Sequence, residues 1–455
     1  MGFFMSVPVL SSGYRTDHHR RNGRVERADD PWSPSPLCHR LPLPQQECIV
    51  PDPQRIYMDN AATTFPKPAS VHEAMLRYAT QLGASPGRGA YAEAREAGRL
   101  LTECRQRLCR LIRADESKPQ QIIFTLNTTD ALNLAIRGIL LAPSTRDKGH
   151  IITTWLDHNS VLRPYNALAD QIGVELTRVA CDPLTGLVDP RDIRSAIRPD
   201  TCLIAVVHGS NVTGTLQPVR DIGRIAREHD IPFVVDAAQT IGHVPIDVEA
   251  DCIDLLAFPG HKGLLGPLGT GGLYIRPGIE DRMTTVREGG TGSASEHDTQ
   301  PPFLPDRFEP GSHNAIGIIG LSEGVRWILE RGVDALWRHE LDLMRTMIGA
   351  LNEDMPGLTL YGPQGVRDRC GVFSVRINGF DQPQALSDLL ERDYGILTRS
   401  GLHCAPLAHK TFGTHASGGM TRLSFGPFLT VQDVTYACDA LGHICQKHAR
   451  LAVGP

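Results

Sequence analysis

The segment Phe258-Pro259-Gly260-His261-Lys262-Gly263 sets a lysine in a glycine-rich turn directly after an apolar run. A lysine desolvated in such a turn loses part of its proton affinity and becomes an amine nucleophile toward an aldehyde. About one strand-to-helix step upstream, Val234-Val235-Asp236-Ala237-Ala238-Gln239 ends a second apolar run in an acid. An aspartate at the carboxyl end of a parallel strand faces the crevice where α/β folds bind ligands, and it can pair with a protonated pyridine nitrogen. An amine for the aldehyde and a carboxylate for the ring nitrogen are the two anchors that pyridoxal phosphate needs. Its phosphate would then need an anion site. Asn127-Thr128-Thr129-Asp130 fits, because it follows one apolar run and opens a helical stretch over Ala131–Leu140, where hydroxyls and free amides converge. Taken singly, each segment also reads as ordinary chemistry: a solvated loop lysine, a helix cap at Asp236, a cap at Thr128 or Thr129.

The elements that would position these residues are short, nearly continuous apolar runs at Ile122–Thr125, Ile151–Thr154, Leu203–Val207, Phe233–Val235, Leu255–Phe258 and Leu273–Ile275. Such runs are buried on both faces, and their alternation with helical stretches predicts an α/β fold with a parallel-rich sheet between helices. Between Glu93 and Ile112, apolar residues recur at three- and four-residue steps and predict a long amphipathic helix. After Pro310 the texture changes to helices over Ala315–Glu330 and Val333–Asn352, strands near Val372–Ile377 and Ile396–Arg399, and a last helix from Val431 to about Lys447. We therefore expect a large ligand-binding domain over 54–310 and a smaller α+β domain over 311–455, with the first residues after 53 packing on the small one. Residues 1–53, polar and then proline-studded, are expected to form a disordered or loosely packed extension.

Composition excludes several classes. A chain of 455 residues has room for two or three compact units. Its 46 basic and 51 acidic residues give a net charge of −5, with no basic stripe for nucleic acid. Eleven cysteines without a C-x-x-C pair argue against a disulfide framework or a zinc site, so no metal is expected and a reducing cytoplasm is the simplest location. No apolar run approaches a membrane span, and Met1–Leu10 lacks the features of a secretory leader. The start matches a loose myristoylation pattern through Gly2 and Ser6, with Met5 as an alternative start.

Seven segments, taken in order, resemble the cysteine desulfurases of the class V aminotransferase group, which are fold-type-I pyridoxal-phosphate enzymes. They are Asp59-Asn60-Ala61-Ala62-Thr63-Thr64, Asn127-Thr128-Thr129, His158-Asn159-Ser160, Asn211-Val212-Thr213-Gly214, Asp236-Ala237-Ala238-Gln239, Gly260-His261-Lys262 and Arg399-Ser400-Gly401-Leu402-His403-Cys404-Ala405. The resemblance spans about Arg55 to Arg450. It implies that His158 stacks on the cofactor ring and shuttles protons, and that Gln239 and Asn211 bond the phenolic oxygen or the substrate. It also implies that Thr128, Thr129 and His261 hold the phosphate. Relatives complete that phosphate site from a second subunit, so a homodimer is implied, with Thr291 in Glu288-Gly289-Gly290-Thr291-Gly292 as the contributing residue.

The resemblance further implies that L-cysteine is the substrate, that Lys262 moves its α-proton, and that a thiolate at Cys404 takes its sulfur as a persulfide, releasing alanine. Such a thiol must be partly exposed, and His403 and Arg399 are placed to favour the thiolate. The substrate carboxylate suits the planar fork of Arg422 in Met420-Thr421-Arg422-Leu423-Ser424, supported by Arg399. The persulfide would pass to a protein acceptor serving iron–sulfur assembly, thionucleosides or another thiolated product.

Three departures bear on substrate preference: Pro259 where many relatives carry serine, Tyr91 where histidine is common, and Phe428-Leu429-Thr430 in place of an asparagine-threonine pair. The interval from Cys404 to Arg422 reads as a flexible loop. Rival readings are a selenocysteine lyase, a class V aminotransferase or other lyase in which Cys404 is incidental, and an inactive sulfur-pathway scaffold.

Overall fold

A computed structural model describes residues 55–453 apart from 88, 146–148 and 354. The expected N-terminal extension and the myristoylation pattern lie outside the described residues. The strands are β1 (Ile56–Tyr57), β2 (Ile122–Thr125), β3 (His150–Thr154), β4 (Glu175–Val179), β5 (Thr201–Val207), β6 (Phe233–Asp236), β7 (Leu255–Pro259), β8 (Gly271–Ile275), β9 (Leu358–Tyr361), β10 (Val372–Ile377), β11 (Ile396–Leu397), β12 (Arg399–Gly401) and β13 (Met420–Ser424).

Seven of them form one mixed sheet in the order β2-β8-β7-β6-β5-β3-β4. The β4-β3-β5-β6-β7 run is parallel, and β8 is antiparallel to both β7 and β2. All strands of this sheet except β8 therefore share one direction, and their carboxyl ends share one edge. β2, β3, β5, β6, β7 and β8 are buried at every position, as expected for a sheet covered on both faces. Two apolar cores cover the two faces. Phe233 and Phe258 belong to one of them and are fully buried, each burial contributing on the order of 2–3 kcal/mol.

The antiparallel sheet β12-β13-β10-β9 is built wholly from residues beyond Pro310. A separate core that includes Phe373, Leu343 and Leu441 joins it to the helices Val333–Leu351 and Val431–Val453. The Ile396–Arg399 segment, expected as one strand, divides: β11 pairs with β1 in a two-stranded parallel sheet, whereas β12 joins β13. The chain at Ile56–Tyr57 is thereby fixed beside residues about 340 positions later. The 405–419 interval is not an open loop. It contains the short helix Pro406–Thr411 and a turn closed by Gly419 N–H donating to the Thr414 carbonyl at 2.9 Å. Among the described residues, no helix is long and apolar enough to cross a membrane.

Candidate active site

The carboxyl ends of β2, β3, β5, β6 and β7 lead into one cleft of about 520 Å³, and each contributes polar side chains to it. Lys262 stands three residues beyond β7. Burial pushes its ammonium down to about 8, with repulsion from Arg422 and Arg399 added and attraction from Asp236 and Asp59 opposing. Asp236, the last residue of β6, is 2% exposed and accepts the Ala238 amide at 2.9 Å. Burial raises its carboxyl to about 6, against the pull of that amide and of Lys262. Near neutral pH, the cleft thus holds a lysine close to its own titration and an aspartate that is mostly ionised.

The turn carrying Lys262 is held from outside. The His261 carbonyl accepts from Thr64 N–H at 3.1 Å, from the Thr63 hydroxyl at 3.1 Å and from Lys67 Nζ at 3.2 Å. Gly260 is required there, because a Cβ would stand 2.1 Å from Thr270 Oγ1.

At the end of β2, Asn127 caps the helix Thr128–Leu140 by accepting Asp130 N–H at 3.0 Å. Thr128 and Thr129, expected as phosphate ligands with plain capping as the alternative, do not cap the helix. Instead these two residues occupy the first turn, where amides lack helical partners. After β3, His158 caps the helix Asn159–Ile172, its Nδ1 taking the Ser160 amide at 3.1 Å and lying 2.8 Å from the Ser160 hydroxyl. Burial, reinforced by Lys262, pushes His158 down to about 4, so its ring is neutral. Gln239 faces the cleft with its amide donating to the Ala61 carbonyl at 3.0 Å.

Cofactor fit can be read from what the cleft leaves unsatisfied. Asn211 Oδ1 and His261 Nδ1 are buried and have no hydrogen-bond partner, and burial keeps His261 neutral at about 4. Unpaired buried polar atoms are costly and point to a missing partner. A helix start with free amides, an ionised aspartate and a low-pKa lysine meet the three demands of pyridoxal phosphate for phosphate, ring nitrogen and aldehyde.

The profile of the family described as "Aminotransferase class-V" matches residues 56–436. The chain belongs to that family. A probable cysteine desulfurase of Methanothermobacter thermautotrophicus is 34% identical over 392 residues, covering 86% of this chain and 94% of the relative. The cysteine desulfurase IscS of Methanosarcina thermophila is 34% identical over 411 residues, covering 88% and 94%. Among solved structures, the apo cysteine desulfurase from Thermococcus onnurineus NA1 superposes with a TM-score of 0.79 at 32% identity, covering 86% of this chain and 95% of that one.

Around this class-V cleft, the remaining expected residues divide. Asn211 lines it, but its side-chain amide donates to the His403 carbonyl at 2.6 Å. Cys404 is exposed and is not among the cleft-lining residues. His403 and Cys404 both take left-handed backbone (φ +49° and +57°), which costs a non-glycine residue roughly 1–2 kcal/mol. Asn211 and the Asn159 amide, which donates to the Cys404 carbonyl at 2.9 Å, hold that turn.

His403 does not supply the charge expected for a thiolate. It is 4% exposed, and burial, then Arg422, push it well below the ordinary histidine range, so it is neutral. Arg399 is exposed on β12, opposite Arg422 on β13. Arg422 is 1% exposed and lies outside the cleft lining. Thr291 is not in the Lys262 cleft either. It lines a separate hollow with Arg105 and His313.

Ser160, within the quoted His158-Asn159-Ser160 segment, was not singled out from sequence. Its hydroxyl lies 2.7 Å from that of Thr129 and joins two walls of the cleft; a serine in the first turn after a capping histidine was the available signal. Of the other described cysteines, seven are buried and Cys252 is half-buried, as core residues would be.

Proposed function

We propose that this class-V protein is a pyridoxal-phosphate-dependent cysteine desulfurase, converting L-cysteine to L-alanine and keeping the sulfur as a persulfide on Cys404. The observation that carries the reading is an exposed cysteine on a left-handed turn tied by Asn211 to the wall of the Lys262–Asp236 cleft. The names of relatives covering most of the chain support it.

When bound, pyridoxal phosphate supplies an electron sink for bonds at the substrate α-carbon. The rest falls to the chain. Thr128, Thr129 and His261 would hold the phosphate, and the Asp236 carboxylate would take the ring nitrogen. His158 would cover the ring, its neutral imidazole able to accept a proton, and Asn211 and Gln239 would bond the phenolic oxygen or the substrate. Lys262 Nζ gains and loses a proton near pH 8, which suits it to carry the α-proton. Arg422, with Arg399, takes the substrate carboxylate. The Cys404 thiolate attacks the substrate sulfur: a sulfur–sulfur bond forms, the carbon–sulfur bond breaks, and its electron pair ends in the methyl group of alanine after protonation.

The large portion over 54–310 holds the cofactor, and the portion over 311–455 carries the Cys404 turn, with β1 reaching across to β11. The enzyme acts as a cytoplasmic homodimer in which the partner subunit's Thr291 completes the phosphate site, and it delivers sulfur to a protein acceptor. The deciding experiment measures alanine from L-cysteine under reducing conditions, native against Cys404→Ala. Alanine formation nearly eliminated in the variant is expected; equal rates would remove Cys404 as the sulfur carrier.

A further inference from the structure

Arg422 sits in a setting that is hard on a cation. It is 1% exposed, its cross-strand neighbour is Arg399, and Lys262 is close enough for the two to repel. Like charges directly opposed across strands destabilise the pair, and a buried charge needs compensation. Asp59 provides it, Oδ1 accepting from Arg422 Nη2 at 2.7 Å with the carboxylate side chain 22% exposed. Arg422 Nη1 donates to the Asn211 carbonyl at 2.9 Å. The third nitrogen, Nε, is buried without a partner.

Asp59 is itself fixed relative to β13. It forms a parallel bridge with Ser424, and its carbonyl accepts the Ala62 amide at 3.0 Å and the Tyr57 hydroxyl at 3.2 Å. A guanidinium anchored at two nitrogens, by a backbone carbonyl and by a carboxylate on a bridged backbone, keeps Nε unpaired and so has donor capacity for a further anion.

We propose that Asp59 is a positioning residue for carboxylate recognition, holding the Arg422 fork in place so that its remaining donor capacity meets the carboxylate of a small α-amino acid. The inference rests on the reading that Arg422 takes the substrate carboxylate. Asp59 does not touch the reacting atoms; it acts through Arg422. Removing its charge while keeping an acceptor, as Asp59→Asn does, leaves the guanidinium uncompensated and less firmly aimed.

The test uses the cofactor-loaded full chain and reads binding from the change in visible absorbance on titration with L-alanine or with L-alaninamide, which lacks the carboxylate. The ratio of the two affinities reports the carboxylate contact, whereas general damage to the fold moves both. Asp59→Asn is expected to lower the preference for L-alanine about tenfold, leaving L-alaninamide unchanged. A preserved preference overturns the proposal, as does tighter L-alanine binding, which would make Asp59 a competitor of the ligand.

Arg422→Lys runs in parallel. If it keeps the native preference, the role of Arg422 fails and that of Asp59 with it; if it loses the preference and Asp59→Asn does not, only the present inference fails. Should Asp59→Asn not yield folded protein, Asp59→Glu is read in the same way. Its longer arm shifts the guanidinium, so a reduced preference is expected and an unchanged one overturns the proposal.

Discussion

The Lys262 cleft and the Cys404 turn are built on opposite plans. In the cleft, every polar group stands at or within a few residues of the end of a buried strand, and burial sets its protonation: Lys262 near 8, Asp236 near 6, His158 near 4. At the turn, the thiol is exposed, its neighbouring histidine is buried and neutral, and the backbone sits in the left-handed region. Chemistry on a cofactor needs a fixed electrostatic frame, and a rigid sheet edge provides one. In the proposed function, handing sulfur to an acceptor needs reach, which a cysteine on a short exposed turn would provide. The two meet in Asn211, which lines one and holds the other.

Substitutions should separate the two plans. Lys262→Ala is expected to abolish the visible absorbance of freshly purified protein and to lower alanine formation by about 10³-fold. Absorbance retained in that variant would remove Lys262 from its role. Cys404→Ala should leave the absorbance intact while alanine formation falls about 10²-fold, equivalent to roughly 2.7 kcal/mol of barrier. If both variants lost the cofactor, the turn and the cleft would be one cooperative unit and the contrast would dissolve.

A subtler test concerns what the cleft costs before it is loaded. Asp236 has a folded pKa of about 6 against an ordinary value of 3.8, so folding disfavours its charged form. The penalty is absent below about pH 4, grows as pH rises, and is complete above about 6. In cofactor-free protein at pH 8, Asp236→Asn should therefore stabilise the fold, by on the order of 2–3 kcal/mol. The gain should fade as the pH is lowered through 6 toward 4, and in loaded protein the same variant should release the cofactor faster. Melting curves of both forms between pH 4 and 8 would show this; a pH-independent difference would mean that Asp236 is not desolvated as described.

What could be read from sequence follows the same division. Ile122–Thr125 became a strand with those bounds because a strand buried on both faces writes its pattern without interruption, and Val372–Ile377 did so although Ser374 and the half-buried Arg376 break its apolar run. β4 has only one buried residue, Val179, and β13 buries Thr421, Arg422 and Ser424 among its five, so neither shows an apolar signature. His158 entered only through the family resemblance, whereas Lys262 and Asp236 were legible because a strand end and a turn mark them locally. The Asp59–Arg422 pair was not, since its partners are 363 positions apart and only tertiary structure joins them. His403 misled for a related reason: a histidine beside a cysteine suggests charge, but burial, which the local sequence does not display, decides its protonation.

The smallest expected effect lies at the helix start that opens at Thr128, where the proposed phosphate ligands stand. Asn127 accepts Asp130 N–H at 3.0 Å, and the Asp130 carboxylate takes Leu126 N–H at 3.1 Å, a reciprocal arrangement close to a capping box. Asn127→Ala should cost about 1 kcal/mol of stability, seen as a lower melting temperature of the cofactor-free protein. Phosphate binding should suffer less than the cap does, because the amides of Thr128 and Thr129 remain at the first turn and the helix is held by its buried face. A small loss of stability with near-native cofactor retention would place this residue on the side of architecture. Cofactor loss as severe as in Lys262→Ala would instead show that the cleft depends on the orientation of this one helix start, and the rigid sheet edge alone would no longer account for the site.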